Sequence, residues 1–134
     1  MNDLVVIDSS VAVKLLVPED QSLHAIRLQS KYRLAAPDIL FSECANTLWK
    51  KVRSGEIGKN HAFEAIDVLS DLDLTVLASR DIMQEALQIA VQIDHPAYDC
   101  LYLSAALRLN AVVVTADQRL LRKLAQFAGW PADG

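Results

Sequence analysis

The sequence predicts an α/β fold built on a parallel, doubly wound sheet. Short β-branched runs alternate with longer segments of helical period, the pattern of repeated βαβ units. The first run, LVVI at 4–7, is apolar without a break, as a strand buried on both faces should be. The 134 residues suit one domain, and no composition shift, repeat or charge block divides them, so residues 1–134 are taken as a single unit.

Each element has its own warrant. After the strand at 4–7 and Asp8, Ser9 or Ser10 can cap a helix through Val11, Val13, Leu15 and Leu16 that stops before Pro18. Leu23, Ile26 and Leu28 mark a helix over 21–31. Residues 33–36 form a short strand ending at Pro37. From Asp38 a longer helix carries Phe41, Cys44, Ala45, Leu48 and Val52 at a 3.6 period and ends at Gly55. Ala62, Ile66 and Leu69 set a helix over 59–71, and residues 74–77 read as a third strand. Ile82, Ala86, Ile89 and Ile93 lay down another amphipathic helix. Pro96 opens the next, which runs through Leu101, Ala105 and Leu109. Residues 111–115 are the clearest strand after the first. Thr115 and Gln118 have capping-box spacing for a last helix from Asp117 to about residue 128. A fifth strand near Gly129-Trp130-Pro131 has little support.

Composition narrows the class. Hydrophobic residues make up 52% and charged residues 22%, with 4 Gly and 4 Pro, which excludes disordered, collagen-like and low-complexity chains. With 13 basic residues against 17 acidic ones, a broad cationic nucleic-acid surface is not expected. For Cys44 and Cys100, reduced thiols are the simpler reading, with a single bridge left open. No run approaches the ~20 apolar residues of a membrane span. MNDLVVID lacks the basic start of a signal peptide, so a soluble, cytoplasmic protein without a membrane partner is expected.

The acids are the most informative residues. Asp8 directly follows the first strand, and Asp117 directly follows the strand near 112–115. In a parallel sheet all strand C-termini share one edge, where ligands bind, so topology puts both on one rim. Glu43 lies early in the helix after the second strand and is expected at the same edge. Asp99 lies in the first turn of the helix opened by Pro96, which follows a helix, so the rule does not place it there. Taken singly, each acid could simply complement a helix dipole, worth about 0.3–1 kcal/mol. Four carboxylates on one rim would repel and raise one another's pKa unless a cation neutralised them. Hard oxygen donors in that number suit Mg²⁺ or Mn²⁺ rather than zinc.

Other residues carry less. His95 before Pro96 reads as a turn residue, and His24 and His61 lie on polar helix faces. Cys44 and Cys100 each follow an acid by one residue, about 100° round a helix, and read as small buried hydrophobes. Asn46 and Lys50 share a helix face with Glu43: Asn46 could support the carboxylate or touch substrate, and Lys50 could meet phosphate. Lys50, Lys51, Arg53 and Lys59 form one basic cluster, and Arg119, Arg122 and Lys123 another. Either could guide an RNA backbone to the rim or pair with neighbouring acids.

VIDSSV at 6–11, SECAN at 42–46, HPAYDCLYL at 95–103 and VVTADQRL at 113–120 together resemble the PIN domain, most of all the VapC-type toxins of bacterial toxin–antitoxin modules. The resemblance runs from Leu4 to about Leu124, in the family's order and spacing. It implies a three-layer sandwich with a central sheet of four to five parallel strands and about seven helices. It also implies an Mg²⁺- or Mn²⁺-dependent endoribonuclease. Asp8, Glu43, Asp99 and Asp117 match the family's acidic quartet, Ser9 and Thr115 the small hydroxyl positions beside it, and Asn46 a frequent polar neighbour. Partners implied are an RNA substrate, a small antitoxin protein and a second copy in a homodimer. Lys50, Arg53 and Arg119 are candidate RNA contacts. The sequence lends the dimer modest support, because the helices near 9–17 and 38–53 carry Val13, Leu16, Leu48 and Trp49, more apolar surface than one thin sheet covers.

The residues agree with that chemistry. Phosphodiester hydrolysis needs an activated water and a stabilised leaving oxygen, which bound metals supply, and no serine, cysteine or histidine triad is visible. On this reading Asp8, Asp99 and Asp117 hold metal, and Glu43 completes the shell or orients the water. A phosphoacceptor receiver would need an Asp after the third strand, where Leu77-Ala78-Ser79 stands, and a dehalogenase-type phosphatase an Asp at Ser10. A catalytically silent PIN-fold binding protein is the remaining rival. Without the quartet the chain has 13 acids and 13 bases, so its net charge of −4 does not speak against RNA.

Overall fold

The computed structural model describes residues 3–17 and 22–124. Their elements run β1 (Leu4–Ile7), α1 (Ser9–Leu16), α2 (Ser22–Lys31), β2 (Arg33–Pro37), α3 (Ile39–Arg53), α4 (Lys59–Asp71), β3 (Leu74–Leu77), α5 (Ser79–Ile93), α6 (Ala97–Leu109), β4 (Val112–Val114) and α7 (Gln118–Leu124). The four strands form one parallel sheet in the order β3-β2-β1-β4. Seven helices accompany it among the described residues, and the architecture is the expected three-layer α/β sandwich. The candidate fifth strand and the last helix beyond Leu124 lie outside the described residues.

Burial follows the order of the strands. β1 lies between β2 and β4, and Val5, Val6 and Ile7 are all buried, which is why that run needs no polar alternation. Among the described residues β3 pairs on one side only, and its Thr75 and Val76 are exposed. On one face of the sheet, α1 packs on β1 and α3 on β2, with α2 against α1 and α4 against both α1 and α3. On the other, α6 covers β1, β2 and β4 and carries α5. Enclosed in this way, α6 buries seven consecutive residues from Cys100 to Ala106, whereas α3 buries only the stripe Leu40, Cys44 and Leu48.

Helix ends follow local chemistry. Gly55, at φ +79°, lets the chain turn back after α3, so that the Glu56 N–H reaches the Lys51 carbonyl at 2.9 Å. Asp94 and Asn110 take the same left-handed conformation after α5 and α6. Two capping expectations are corrected. The cap of α1 is Asp8, not Ser9 or Ser10, because its carboxylate accepts from the Val11 N–H. The cap of α7 is Asp117, whose carboxylate accepts from the Arg119 and Leu120 N–H groups; the Thr115 hydroxyl is directed elsewhere. The apolar excess offered for a dimer is corrected too. Val13, Leu16 and Leu48 are buried in the chain's own core, and of the four only Trp49 is exposed. No helix among the described residues is long and apolar enough to cross a membrane.

Candidate active site

The C-terminal ends of β1 and β4 are adjacent, because Ile7 pairs with Val114 in register. Asp8 and Thr115 are the next residues on the two strands and therefore meet. Asp8 is only 6% exposed. One of its carboxylate oxygens accepts from the Ser10 hydroxyl and, at 3.2 Å, from the Val11 N–H; the other accepts from the Thr115 hydroxyl. Both hydroxyls are themselves held from behind. The Ala116 N–H donates to Ser10 Oγ and the Asp117 N–H to Thr115 Oγ1, each at 2.9 Å. Asp117 is thus tied to Asp8 through Thr115. Ser10, which occupies the position a phosphatase would give a second aspartate, is a donor to the first.

The other two acids come from the helices. Glu43, in the second turn of α3, accepts from the Tyr102 hydroxyl of α6 at 2.5 Å and also from Ser9. Asp99, in the first turn of α6, has one oxygen 2.7 Å from His95 Nε2. Burial pushes the Asp8 carboxyl up from its ordinary range, against the hydrogen bonds from Ser10, Thr115 and Val11, and the charge of Asp99 adds to the rise. Glu43 is likewise raised, first by burial and then by the charges of Asp99 and Asp8, while Tyr102 and Ser9 act the other way. Asp8, Glu43 and Asp99 therefore repel one another at one edge of the sheet.

As donors these acids fit a hard divalent cation in kind and in charge: all are oxygens, one is buried, and three are electrically coupled. Among the described residues, however, no three His, Cys, Asp or Glu side chains stand together as a formed metal cage. Each carboxylate is turned to a hydrogen-bond donor of its own.

The cysteines are not part of the chemistry. Both are free and buried, and burial pushes the Cys44 thiol up to about 12 and that of Cys100 up to about 11, so neither is a thiolate near neutral pH. Beside Glu43 lies a groove of about 400 Å³, whose lining includes Ser9, Ile39, Asn46, Lys50 and Tyr98. Asn46 and Lys50 thus share Glu43's face of α3, as their spacing predicts. Arg53 instead lies over the Trp49 ring, 5.2 Å from its centroid. Arg119 is 82% exposed, with Nε 3.9 Å from Asp117 Oδ1.

Sequence reasoning missed three supporting residues. Tyr102 follows Asp99 by three residues and His95 precedes it by four, spacings that could have flagged both as neighbours of the acid. Ser10 had no comparable signal, because a hydroxyl in a helix's first turn is commonplace.

Comparison with known proteins agrees with this architecture. Residues 5–126 match the family described as the PIN domain. A protein named Ribonuclease VapC3, from Pyrobaculum aerophilum, is 29% identical over 121 residues, spanning 88% of this chain and 92% of its own. The crystal structure of Mycobacterium tuberculosis VapC20, a sarcin-ricin loop cleaving toxin, superposes with a TM-score of 0.72 at 14% identity, covering 96% of this chain and 97% of that one. VapBC2 from Rickettsia felis, solved bound to a DNA fragment from its promoter, gives a TM-score of 0.61 at 16% identity over 89% of this chain and 92% of that one. At those identities the two structures speak for the fold.

Proposed function

The chain belongs to the PIN-domain family, and from that premise we propose that it is a metal-dependent endoribonuclease, the toxin of a type II toxin–antitoxin pair. The observation that carries the site is the gathering of Asp8, Glu43 and Asp99, three carboxylates from three elements, at one sheet edge: burial first raises Asp8 and Glu43, the charge of Asp99 adds to both, and that of Asp8 adds at Glu43. Such an arrangement costs stability unless a cation joins it. Asp8, Asp99 and Asp117 are the residues that would hold Mg²⁺ or Mn²⁺, with Glu43 completing the shell or orienting the attacking water. A divalent ion bound there lowers the pKa of water and stabilises the leaving oxygen of the phosphodiester.

The remaining work belongs to the protein's own groups. Ser10 and Thr115 keep the Asp8 carboxylate in one orientation through donors anchored to the backbone after β4. Tyr102 and Ser9 hold Glu43, and His95 holds one oxygen of Asp99, leaving the other for a ligand. The Tyr102 phenol is buried against Glu43, which pushes its pKa upward and keeps it a donor. Asn46 and Lys50 face the groove beside Glu43, where Lys50 would meet a phosphate.

The VapC names of the relatives support a protein antitoxin as partner, and the resemblance supports a homodimer, which size-exclusion chromatography with light scattering would detect or exclude. The deciding experiment is cleavage of a total-RNA pool with Mg²⁺ or Mn²⁺, with the fragment ends mapped, by wild type and by Asp8→Asn. Wild-type cleavage that disappears in Asp8→Asn is expected. Equal cleavage by the two proteins would remove the assignment of Asp8.

A further inference from the structure

The groove beside Glu43 holds three recognition groups that the fold does not use. Among the described residues, the Asn46 amide, the Lys50 ammonium and the Tyr98 hydroxyl make no hydrogen bond or ion pair. Glu43 and Ser9 in the same groove are bonded to each other, so their roles are already taken. Tyr98 is 67% exposed, although it is an aromatic residue next to the buried run of α6. It lines the same groove as Ser9 and Glu43, so whatever rests on its ring lies beside the candidate catalytic edge. Asn46 and Lys50 follow Glu43 by three and seven residues, which spreads carboxylate, amide and ammonium along about 10 Å of α3. The volume of about 400 Å³ lies in the range of about 300–1,000 Å³ typical of small-ligand sites.

We infer that this groove is a subsite for one unpaired ribonucleotide, its base stacked on Tyr98, its edge read by the Asn46 amide and its phosphate met by Lys50. The inference rests on the ribonuclease reading above and deepens it. Stacking on a side chain requires a base free of its own stack, so the substrate class is single-stranded RNA or a loop rather than a duplex. An aromatic ring tolerates every base, whereas an amide offering both donor and acceptor discriminates between them. The site should therefore impose a preference at one position flanking the cut, not an absolute code.

Binding and cleavage test this separately. Binding of a short, mixed-sequence, single-stranded oligoribonucleotide is measured by fluorescence anisotropy with Tyr98→Ala and Tyr98→Phe, each made in the Asp8→Asn background to prevent turnover. Tyr98→Ala should weaken binding by about 5- to 150-fold, the range of one stacked base, and Tyr98→Phe should retain it. Binding of a fully paired RNA should not change. In the wild-type background, Tyr98→Ala should raise KM more than it lowers kcat and blur the preference at one position of the mapped ends. Unchanged single-strand binding in Tyr98→Ala would overturn the subsite even if the wild-type protein cleaves RNA. Tyr98-dependent binding in a protein that cleaves no RNA would leave the subsite standing and remove the ribonuclease reading. Loss of a bound protein partner with RNA binding intact would assign the groove to that partner and overturn the proposal.

Discussion

The Asp8 corner and the Glu43 groove are neighbours built on opposite principles. At the corner, the Asp8 carboxylate takes three donors, and both donating hydroxyls are anchored by backbone N–H groups. In the groove, Asn46, Lys50 and Tyr98 make no polar contact of their own among the described residues. A group that must present charge in one geometry is held by a satisfied network, since in a buried site an unpaired partner is costly. A group that must accept a variable ligand is left in water until the ligand arrives. α3 and α6 contribute to both, since each carries one held carboxylate, Glu43 or Asp99, beside the exposed groups of the groove.

That contrast can be broken in graded steps. Asp8→Asn should reduce RNA cleavage by about 10²- to 10³-fold, on the scale of losing a transition-state charge stabiliser. The same variant should melt no lower than wild type by circular dichroism, because it removes a buried, mutually repelled charge. A variant that lost both activity and fold would show the corner to be structural instead. Thr115→Val and Tyr102→Phe each delete one donor to a rim carboxylate and should cost about 10- to 100-fold in activity or in Mn²⁺ affinity, measured by calorimetry. Wild-type affinity in both would mean that the networks do not orient the acids. Lys50→Ala belongs to the recognition side. It should weaken RNA binding several-fold, leave kcat nearly unchanged, and reduce the slope of log affinity against log salt by about one; an unaltered slope would place Lys50 outside the phosphate path.

The smallest effect concerns pH. Asp8 and Glu43 are both raised above their ordinary values of 3.8 and 4.5, so over the interval above those values the folded state binds protons that the unfolded chain has lost. Stability without added metal should therefore fall as pH rises through the raised values, and the penalty should vanish below the ordinary ones. Melting curves in EDTA from mildly acidic to neutral pH test this. Mn²⁺ should recover the loss at neutral pH, and Asp8→Asn should flatten the dependence. A flat wild-type curve would mean that neither burial nor neighbouring charge raises these carboxyls in solution.

Different parts of the molecule were legible for different reasons. Periodicity and capping signals located the described elements, because spaced residues such as Cys44 and Leu48, or a run such as Val5-Val6-Ile7, show which face the core takes up; of the stripe expected on α3, Ala45 is exposed, and Leu40 is buried instead. Helix caps were less legible. Ser9, Ser10, Asp8, Thr115 and Asp117 are all good capping types, and which of them caps depends on where the chain leaves each strand. The apolar excess on α1 and α3 was misjudged as a candidate dimer surface, because the sequence does not show that α4 packs against both helices.

By itself the sequence determined the element order, the parallel class of the sheet and the short list of acids, since these follow from local period and from the rule that parallel strands end at one edge. Tertiary structure alone decided which groups hold those acids. Thr115 reaches Asp8 across 107 positions and Tyr102 reaches Glu43 across 59, and only the pairing of β1 with β4 and the placing of α3 and α6 against one sheet bring them together. A hydrogen bond is decided by distances of a few ångströms, and no local pattern encodes those between residues so far apart in the chain.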